Sequence, residues 1–187
     1  MIAIGSDHGG FALKQEIMEH LKENGIEYKD YGCYDERSCD YPVYAKKVAN
    51  AIVSGECEKG ILICGTGIGI SIAANKVKGI RAALCHDTFS AQATREHNDA
   101  NILAMGARVI GPGHALKVVD TFLNTEFSND ERHIRRINMI EKRLKEAEKL
   151  GFKKCIIPES NKKGLKEKFK LDIIGVKDIN EAMKTCF

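Results

Sequence analysis

Residues 60–69 read GILICGTGIG and join a short apolar run to a glycine-rich loop. The run GILIC is continuously apolar, which is typical of a strand buried on both faces of a parallel sheet. A helical stretch begins soon after the loop, from about Ile70, so a strand, a tight loop and a helix follow one another directly. This order predicts one repeating unit of an α/β fold.

The same alternation extends from this stretch toward both ends of the chain. Strands are predicted at 2–5, 27–31, 80–85 and 102–110, and helices at 11–24, 42–54, 88–96, 113–123 and 130–149. Alternating apolar strands and helices predict an α/β fold, a Rossmann-like doubly wound parallel sheet. Ligands of such sheets bind at the carboxyl ends of the strands, so we expect the candidate residues at that edge.

The composition changes near Leu144. Residues 144–187 carry 11 lysines against seven acidic residues, which leaves 18 basic and 19 acidic residues in 1–143. We therefore predict a catalytic domain at 1–143 and a small α/β appendage without a catalytic role at 144–187. About 40 residues rarely sustain a core of their own, and a lysine-rich surface of this size is more typical of solvated side chains than of nucleic-acid binding. The predicted elements of the appendage are strands near 154–157 and 171–176 and a helix near 178–186.

The chain carries no recognisable targeting or membrane signal. Met1 leads directly into MIAIGSDHGG, without the basic and apolar segments of a signal peptide, and no apolar run approaches the ~18 residues of a transmembrane helix. We expect a cytoplasmic protein with no membrane partner. The seven cysteines include no CxxC pair, which disfavours a zinc site, and their odd number favours reduced thiols.

The glycine loop is distinctive because a thiol stands immediately before it. Cys64 precedes Gly65-Thr66-Gly67-Ile68-Gly69, whose backbone N–H groups can converge on an anion where a helix begins. The loop lacks the Gly-Lys-Ser/Thr ending of a P-loop and the spacing of a dinucleotide-binding loop. Amide donors at a helix start make a thiolate available, so Cys64 is a candidate base or nucleophile. The alternative is a buried thiol that only fills space.

Two further groups combine an imidazole with a carboxylate or an amide. Asp7 and His8 follow the first strand and precede two glycines, which let a ligand approach the backbone closely. His97 and Asn98 precede the strand at 102, and a histidine in such a setting can act as an acid or a base near neutral pH. The alternative for Asp7 and His8 is an ordinary strand-to-helix turn, and the alternative for His97 and Asn98 is a helix cap beside an exposed histidine.

Three arginines are candidates for binding a phosphate group. Arg108 is predicted at a strand end, and Arg132 and Arg136 lie four residues apart on one face of the helix at 130–149. Guanidinium groups on one face match the geometry of a phosphate. The alternative is a solvated helix face.

Together these stretches resemble the ribose-5-phosphate isomerase type B group, which includes the galactose-6-phosphate isomerase subunits. The resemblance covers residues 1 to about 143. The matching stretches are SDHGGFALK (6–14), DYP (40–42), GILICGTGIGISIAANK (60–76), GIRAALC (79–85), REHNDANILAMGARVIG (95–111) and RHIRRI (132–137).

The resemblance implies interconversion of ribose 5-phosphate and ribulose 5-phosphate through ring opening and an enediolate, with no metal and no cofactor. It also implies a homodimer, or a tetramer built from it, whose active sites are shared between subunits. By the same resemblance Cys64 moves the proton between C1 and C2, His97 opens the sugar ring, and Thr66 stabilises the intermediate. The implied substrate-binding residues are Asp7, His8, Gly65, Thr66, Gly67, Ile68, Gly69, Asn98, Arg108, Arg132 and Arg136.

Two other functions remain open at this point. One is isomerisation of a hexose 6-phosphate, such as allose or galactose 6-phosphate. The other is a sugar-phosphate sensor that binds without turnover, because a fold alone does not determine a function. A base and a separate ring-opening group favour the enzyme over the sensor.

The appendage resembles a different group. RLKEAEKLGFKKCIIPESNKKG (143–164) and DIIGVKDINEAMK (172–184) are similar to the end of the Lon-protease-like domain of RadA-type DNA repair proteins. The sequence contains no ATP-binding motif, so we carry over neither repair nor proteolytic activity.

Overall fold

The computed structural model describes residues 1–141, 153–159, 172–176, 178 and 181. They form two compact units, Met1–His133 and Ile134–Phe187. The functional boundary at residue 143 stays a prediction. None of the helices within the described residues is long and apolar enough to cross a membrane.

The first unit contains a five-stranded parallel sheet of order β2-β1-β3-β5-β4. Helices follow the strands, which confirms the predicted Rossmann-like α/β fold. The strands are β1 (Ile2–Ser6), β2 (Tyr28–Asp30), β3 (Lys59–Cys64), β4 (Ala82–Leu84) and β5 (Ile102–Gly106). The helices are α1 (Phe11–Glu23), α2 (Tyr41–Val53), α3 (Ile68–Ala74), α4 (Thr88–Asn98), α5 (Pro112–Asn124) and α6 (Glu131–Glu141), the last of which continues into the second unit.

The side chains of β3 alternate between two cores. Ile61 and Ile63 pack into one core with residues of α1 and α5, and Leu62 and Cys64 pack into the other with residues of α2 and α3. This alternation follows from the two-residue period of a strand, and burial on both faces explains why GILIC is apolar throughout. Cys64 therefore ends its strand on the α2 and α3 side of the sheet.

The order of the strands predicts a ligand crevice between β1 and β3. The chain leaves β1 toward β2 on one side and returns to place β3 on the other side. The connections that follow β1 and β3 therefore diverge, and their carboxyl ends open a crevice in the manner of other doubly wound sheets. Asp7 and Cys64 stand at these two strand ends.

Two elements differ from the prediction beside this crevice. The strand predicted at 102–110 ends at Gly106, because the next residues turn back: Ala107 N–H donates to Cys64 O and Arg108 N–H donates to Gly65 O. α3 begins at Ile68, two residues early. Its preceding residue, Gly67, has a φ of 77°, and a Cβ there would overlap Leu84. Only glycine meets both conditions.

The described part of the second unit contains two parallel strands, β6 (Lys154–Pro158) and β7 (Asp172–Val176), with Cys155 paired to Ile173. These strands were predicted within one or two residues. The helix predicted at 178–186 lies almost entirely outside the described residues.

Candidate active site

Two hydrogen bonds fix Asp7 at the end of β1. Its carboxylate accepts a hydrogen bond from Gly10 N–H at 3.1 Å, and its own N–H donates to Ile63 O at 3.2 Å. The side chain is buried, with 7% exposed. The second of these bonds ties Asp7 to β3, one residue before Cys64.

His8 is oriented by the loop that connects β2 to α2. Its Nδ1 accepts the backbone N–H of Cys39 at 3.2 Å. A ring nitrogen that accepts an N–H carries no hydrogen, so the neutral ring of His8 carries its hydrogen on Nε2. His8 can thus donate one hydrogen bond to a ligand oxygen.

Cys64 receives an amide hydrogen bond on its sulfur. Gly67 N–H donates to Cys64 Sγ at 3.1 Å, across the glycine loop. A donor aimed at sulfur stabilises negative charge there, as a thiolate base requires. Thr66 and Ile68 stand exposed on the same loop, and Ile68 N–H donates to Thr66 Oγ1 at 3.4 Å.

Two other cysteines are poorer sources of thiolate. Burial, with a smaller contribution from Asp87, raises the pKa of Cys85 to about 11. Burial is also the largest cause that raises the pKa of Cys33. Both thiols therefore stay protonated at neutral pH.

Backbone segments pack tightly around the glycine loop. A Cβ on Gly9 would lie 3.4 Å from Gly65 N, and a Cβ on Gly65 would lie 3.6 Å from Arg108 Nε. Gly106 passes under Thr66 and Tyr41 covers Gly69, so closely that a Cβ at either glycine would clash. We call the residues that converge here the carboxyl-edge group. Its members are Asp7, His8, Cys64, Gly65, Thr66, Gly67, Ile68, Gly69 and Arg108.

His97 and Asn98 lie at the opposite edge of the sheet. They form the last turn of α4, which leads from the carboxyl end of β4 to the amino end of β5. Arg81, the residue before β4, donates from Nε to Asn98 O at 3.0 Å. Because all strands are parallel, this contact belongs to the amino edge of the sheet.

The ring of His97 stacks on His133, with ring centroids 4.4 Å apart and an interplanar angle of 14°. His133 is buried, and its Nε2 accepts a hydrogen bond from Arg132 Nε at 3.2 Å. Arg132 also pairs with Asp130 at 3.3 Å. We call His97, Asn98 and Arg132, with their support His133, the amino-edge group.

His133 was not among the residues singled out from the sequence, although it belongs to the quoted stretch RHIRRI. Its position between two arginines was the only local sign in the sequence that this histidine could belong to a functional site. Its contact with α4 depends on how the chain folds back after α5, which no local pattern reveals. Arg136 follows Arg132 by four residues in α6 and is exposed.

The expectation that all candidate residues meet at the carboxyl edge is wrong for His97, Asn98 and Arg132. The five residues of β5 separate the two edges by roughly 15 Å at the usual rise of a strand. One chain therefore does not bring His97 within hydrogen-bonding reach of Cys64. Across the described part of the chain, no three His, Cys, Asp or Glu side chains are grouped to hold a metal ion.

The comparisons with known proteins agree on one family. The family model described as ribose/galactose isomerase matches residues 2–140. A putative sugar phosphate isomerase of Bacillus subtilis, YwlF, is 61% identical over 140 residues, which cover 74% of this chain and 93% of that protein. Ribose-5-phosphate isomerase B of Escherichia coli is 51% identical over 139 residues, with 74% and 93% covered.

A solved structure of ribose-5-phosphate isomerase B from Clostridium thermocellum matches with a TM-score of 0.75 at 55% identity and covers 78% of this chain and 97% of its own. The family model ends before the appendage. These matches do not support the likeness to RadA-type proteins. The chain belongs to the ribose/galactose isomerase family, whose relatives are sugar-phosphate isomerases, as the motifs around Cys64 predicted.

Proposed function

We propose that this chain interconverts D-ribose 5-phosphate and D-ribulose 5-phosphate, in active sites that two copies of the chain complete for each other. The substrate follows the relative from Escherichia coli, which is named a ribose-5-phosphate isomerase B and is 51% identical. The observation that carries the shared site is the separation of Cys64 from His97 to opposite edges of one sheet.

A pair of chains related by a two-fold axis resolves this separation. In such a pair, the carboxyl-edge group of one copy faces the amino-edge group of the other, and the symmetry repeats the arrangement to form two equal sites. A homodimer is the smallest assembly that completes both, and a tetramer would contain the same pair.

Exposed apolar side chains near the carboxyl edge support a covered surface. Phe89 at the start of α4 is 79% exposed, and Ile68 and Ile72 on α3 are 52% and 55% exposed. Leu84, the last residue of β4, and Val109, which follows β5, are exposed as well. Several large apolar side chains in one region are typical of a surface that binds protein.

The reaction begins with ring opening, because the cyclic sugar has no carbonyl. His97 of the second copy donates a proton to the ring oxygen as the bond from that oxygen to C1 breaks, and the hydroxyl on C1 loses its proton and becomes the aldehyde. An imidazole suits this exchange because it gives and accepts protons near neutral pH.

Cys64 then transfers the proton between carbons. Its thiolate removes the proton from C2, and negative charge develops on the oxygen of C1. The proton of the C2 hydroxyl then moves to the oxygen of C1, and the thiol returns its proton to C1 as C2 becomes the ketone carbonyl. We assign to this charge the amide groups of the Gly65–Gly69 loop and the hydroxyl of Thr66 as donors. Donors held in place before the reaction stabilise such an intermediate most effectively.

The arginines bind the phosphate at the far end of the substrate. Arg108 belongs to the same group as Cys64, and Arg132 and Arg136 come from the second copy. Binding energy from the phosphate, which does not react, holds C1 and C2 in register with the sulfur. A cytoplasmic location stays a prediction from the sequence.

The decisive experiment is a turnover assay with ribose 5-phosphate, in the presence of a chelator and without added cofactor. We expect ribulose 5-phosphate to form at a rate that the chelator does not change. Allose 6-phosphate and galactose 6-phosphate are the matched alternative substrates. Faster turnover of a hexose phosphate would replace the proposed substrate, and binding of all three sugars without turnover would favour the sensor.

A further inference from the structure

A pair of cysteines lies beside His8, in the loop 31–40 that connects β2 to α2. Backbone N–H groups of this loop donate hydrogen bonds to the residues on either side of Asp7. Cys33 N–H donates to Ser6 O at 2.7 Å, and Cys39 N–H donates to His8 Nδ1 at 3.2 Å. The loop therefore brings both cysteines to the end of β1, although neither belongs to the isomerase motifs.

The thiol of Cys33 lies at the end of β1, near that of Cys39: Cys33 Sγ is 3.8 Å from Ser6 Oγ, two residues before His8, and donates to Asp35 O at 3.2 Å. Burial raises the pKa of Cys33, the hydroxyl of Ser6 lowers it, and a hydrogen bond with the thiol of Cys39 raises it further. Cys39 Sγ also lies 4.0 Å from His8 Nδ1. A hydrogen bond with Cys39, more than burial, raises the pKa of Tyr44 to about 12. Cys39 is thus positioned among Cys33, His8 and Tyr44.

The two thiols differ in their access to solvent. Cys33 is 3% exposed, whereas Cys39 is partly exposed. The residues between them, 34–38, are exposed or partly exposed, and the side chain of Arg37 is 90% exposed. An oxidant can reach Cys39 first, and the intervening loop can adjust without opening the core.

We propose that Cys33 and Cys39 form an oxidation site, at which a peroxide converts the two thiols to a disulfide that changes the support of His8. The sulfur of Cys39 attacks one peroxide oxygen, the O–O bond breaks, and a sulfenic acid and water form. The sulfur of Cys33 then attacks the sulfur of Cys39, the S–O bond breaks, and a second water leaves with the Cys33 proton. Two thiols are oxidised and one peroxide is reduced.

The disulfide acts on His8 through the backbone of Cys39. A bond to Cys33 moves the sulfur of Cys39 from His8 Nδ1 toward Cys33 and shifts the Cys39 N–H with it, so the ring loses the donor that orients it. This effect on turnover rests on the proposed isomerase function, but formation of the disulfide does not. The loss of one hydrogen bond that orients a ligand-binding residue lowers kcat/KM about fivefold.

Peptide mapping tests the disulfide directly. Trypsin cleaves after Lys29, Arg37 and Lys46 and so separates the two cysteines into peptides 30–37 and 38–46. After treatment of the protein with hydrogen peroxide and blocking of free thiols, we expect these two peptides to be joined, and to separate on reduction with dithiothreitol. Cys33→Ser and Cys39→Ser should each abolish the joined peptide, and the control Cys57→Ser should retain it.

An absent joined peptide, or a disulfide between other cysteines, would overturn the proposal. Turnover of ribose 5-phosphate then tests the link to His8. Wild type should lose activity that dithiothreitol restores, and Cys33→Ser should lack this reversible part. Equal reversible losses in both proteins would sink the link to His8. If the joined peptide forms in a protein that never isomerises the sugar, the proposed function fails while the oxidation site stands.

Discussion

The carboxyl-edge and amino-edge groups are built by different means. The first is held by backbone contacts between β1, β3 and the turn after β5, and Cys64 is only 5% exposed. The second consists of side chains at the end of α4 and the start of α6, where 45% of the His97 side chain and 62% of the Arg132 side chain are exposed. The fold alone thus preorganises one half of the site, and we infer that the other half needs a second copy.

The largest effect is expected at the centre of the carboxyl-edge group. Cys64→Ala removes the proposed base and should lower kcat about 10³-fold, a typical value for a general base. Exchange of the C2 proton with deuterated solvent, followed by NMR, measures the same step. Cys57→Ala is the matched control, because Cys57 is buried in the same core but stands away from the strand end. A Cys64→Ala enzyme that retains a tenth of the rate would exclude the sulfur as the base.

A mixing experiment tests whether the two groups come from different copies. Cys64→Ala and His97→Ala should each be nearly inactive. When the two proteins are unfolded together and refolded, half of the dimers contain one copy of each, and each mixed dimer has one intact site. We expect the mixture to recover about a quarter of wild-type activity.

The control for mixing combines Cys64→Ala with Thr66→Ala, which alter the same group. This mixture has no intact site and should show only the average of the two separate activities. If Cys64→Ala mixed with His97→Ala also stays at the average, the active site does not combine the two groups from different copies.

A smaller effect is expected within the amino-edge group. Arg132→Ala removes a charged donor to the phosphate and should raise KM about tenfold or more, because hydrogen bonds to charged groups contribute ~1.5–3 kcal/mol. Inhibition by inorganic phosphate should weaken in parallel. Arg135→Ala removes another exposed arginine of the same helix and should change neither constant. Equal effects of both variants would show that Arg132 contributes only to the general surface charge.

The smallest effect is expected for the appendage. A chain that ends at residue 149 should keep kcat and KM within about threefold, because the truncation removes no residue of either group. Circular dichroism reports whether the sheet stays folded. Loss of turnover in a folded, truncated protein would assign residues 150–187 a part in the site.

The sequence predicted most helices and strands well, but it predicted less well which segments are in contact in the fold. Strands with a clear apolar run, such as 60–64, were found within a residue. The strand after Asn101 was predicted too long. Val109 and Ile110 are apolar, β-branched residues that favour a strand, but this segment turns back over the glycine loop. The contact of loop 31–40 with His8 had no local signal, since its partners are about 30 residues away in the chain.

The sequence by itself determined the alternation of strands and helices, the glycine loop after Cys64 and the family, because these depend on periodicity and on short motifs. Only the tertiary structure decided which edge of the sheet each candidate residue occupies. The direction of α4 separates His97 from Cys64, and the fold after α5 stacks His133 on His97. Such placements arise from contacts between residues distant in the chain, and a one-dimensional pattern of residue types does not contain them.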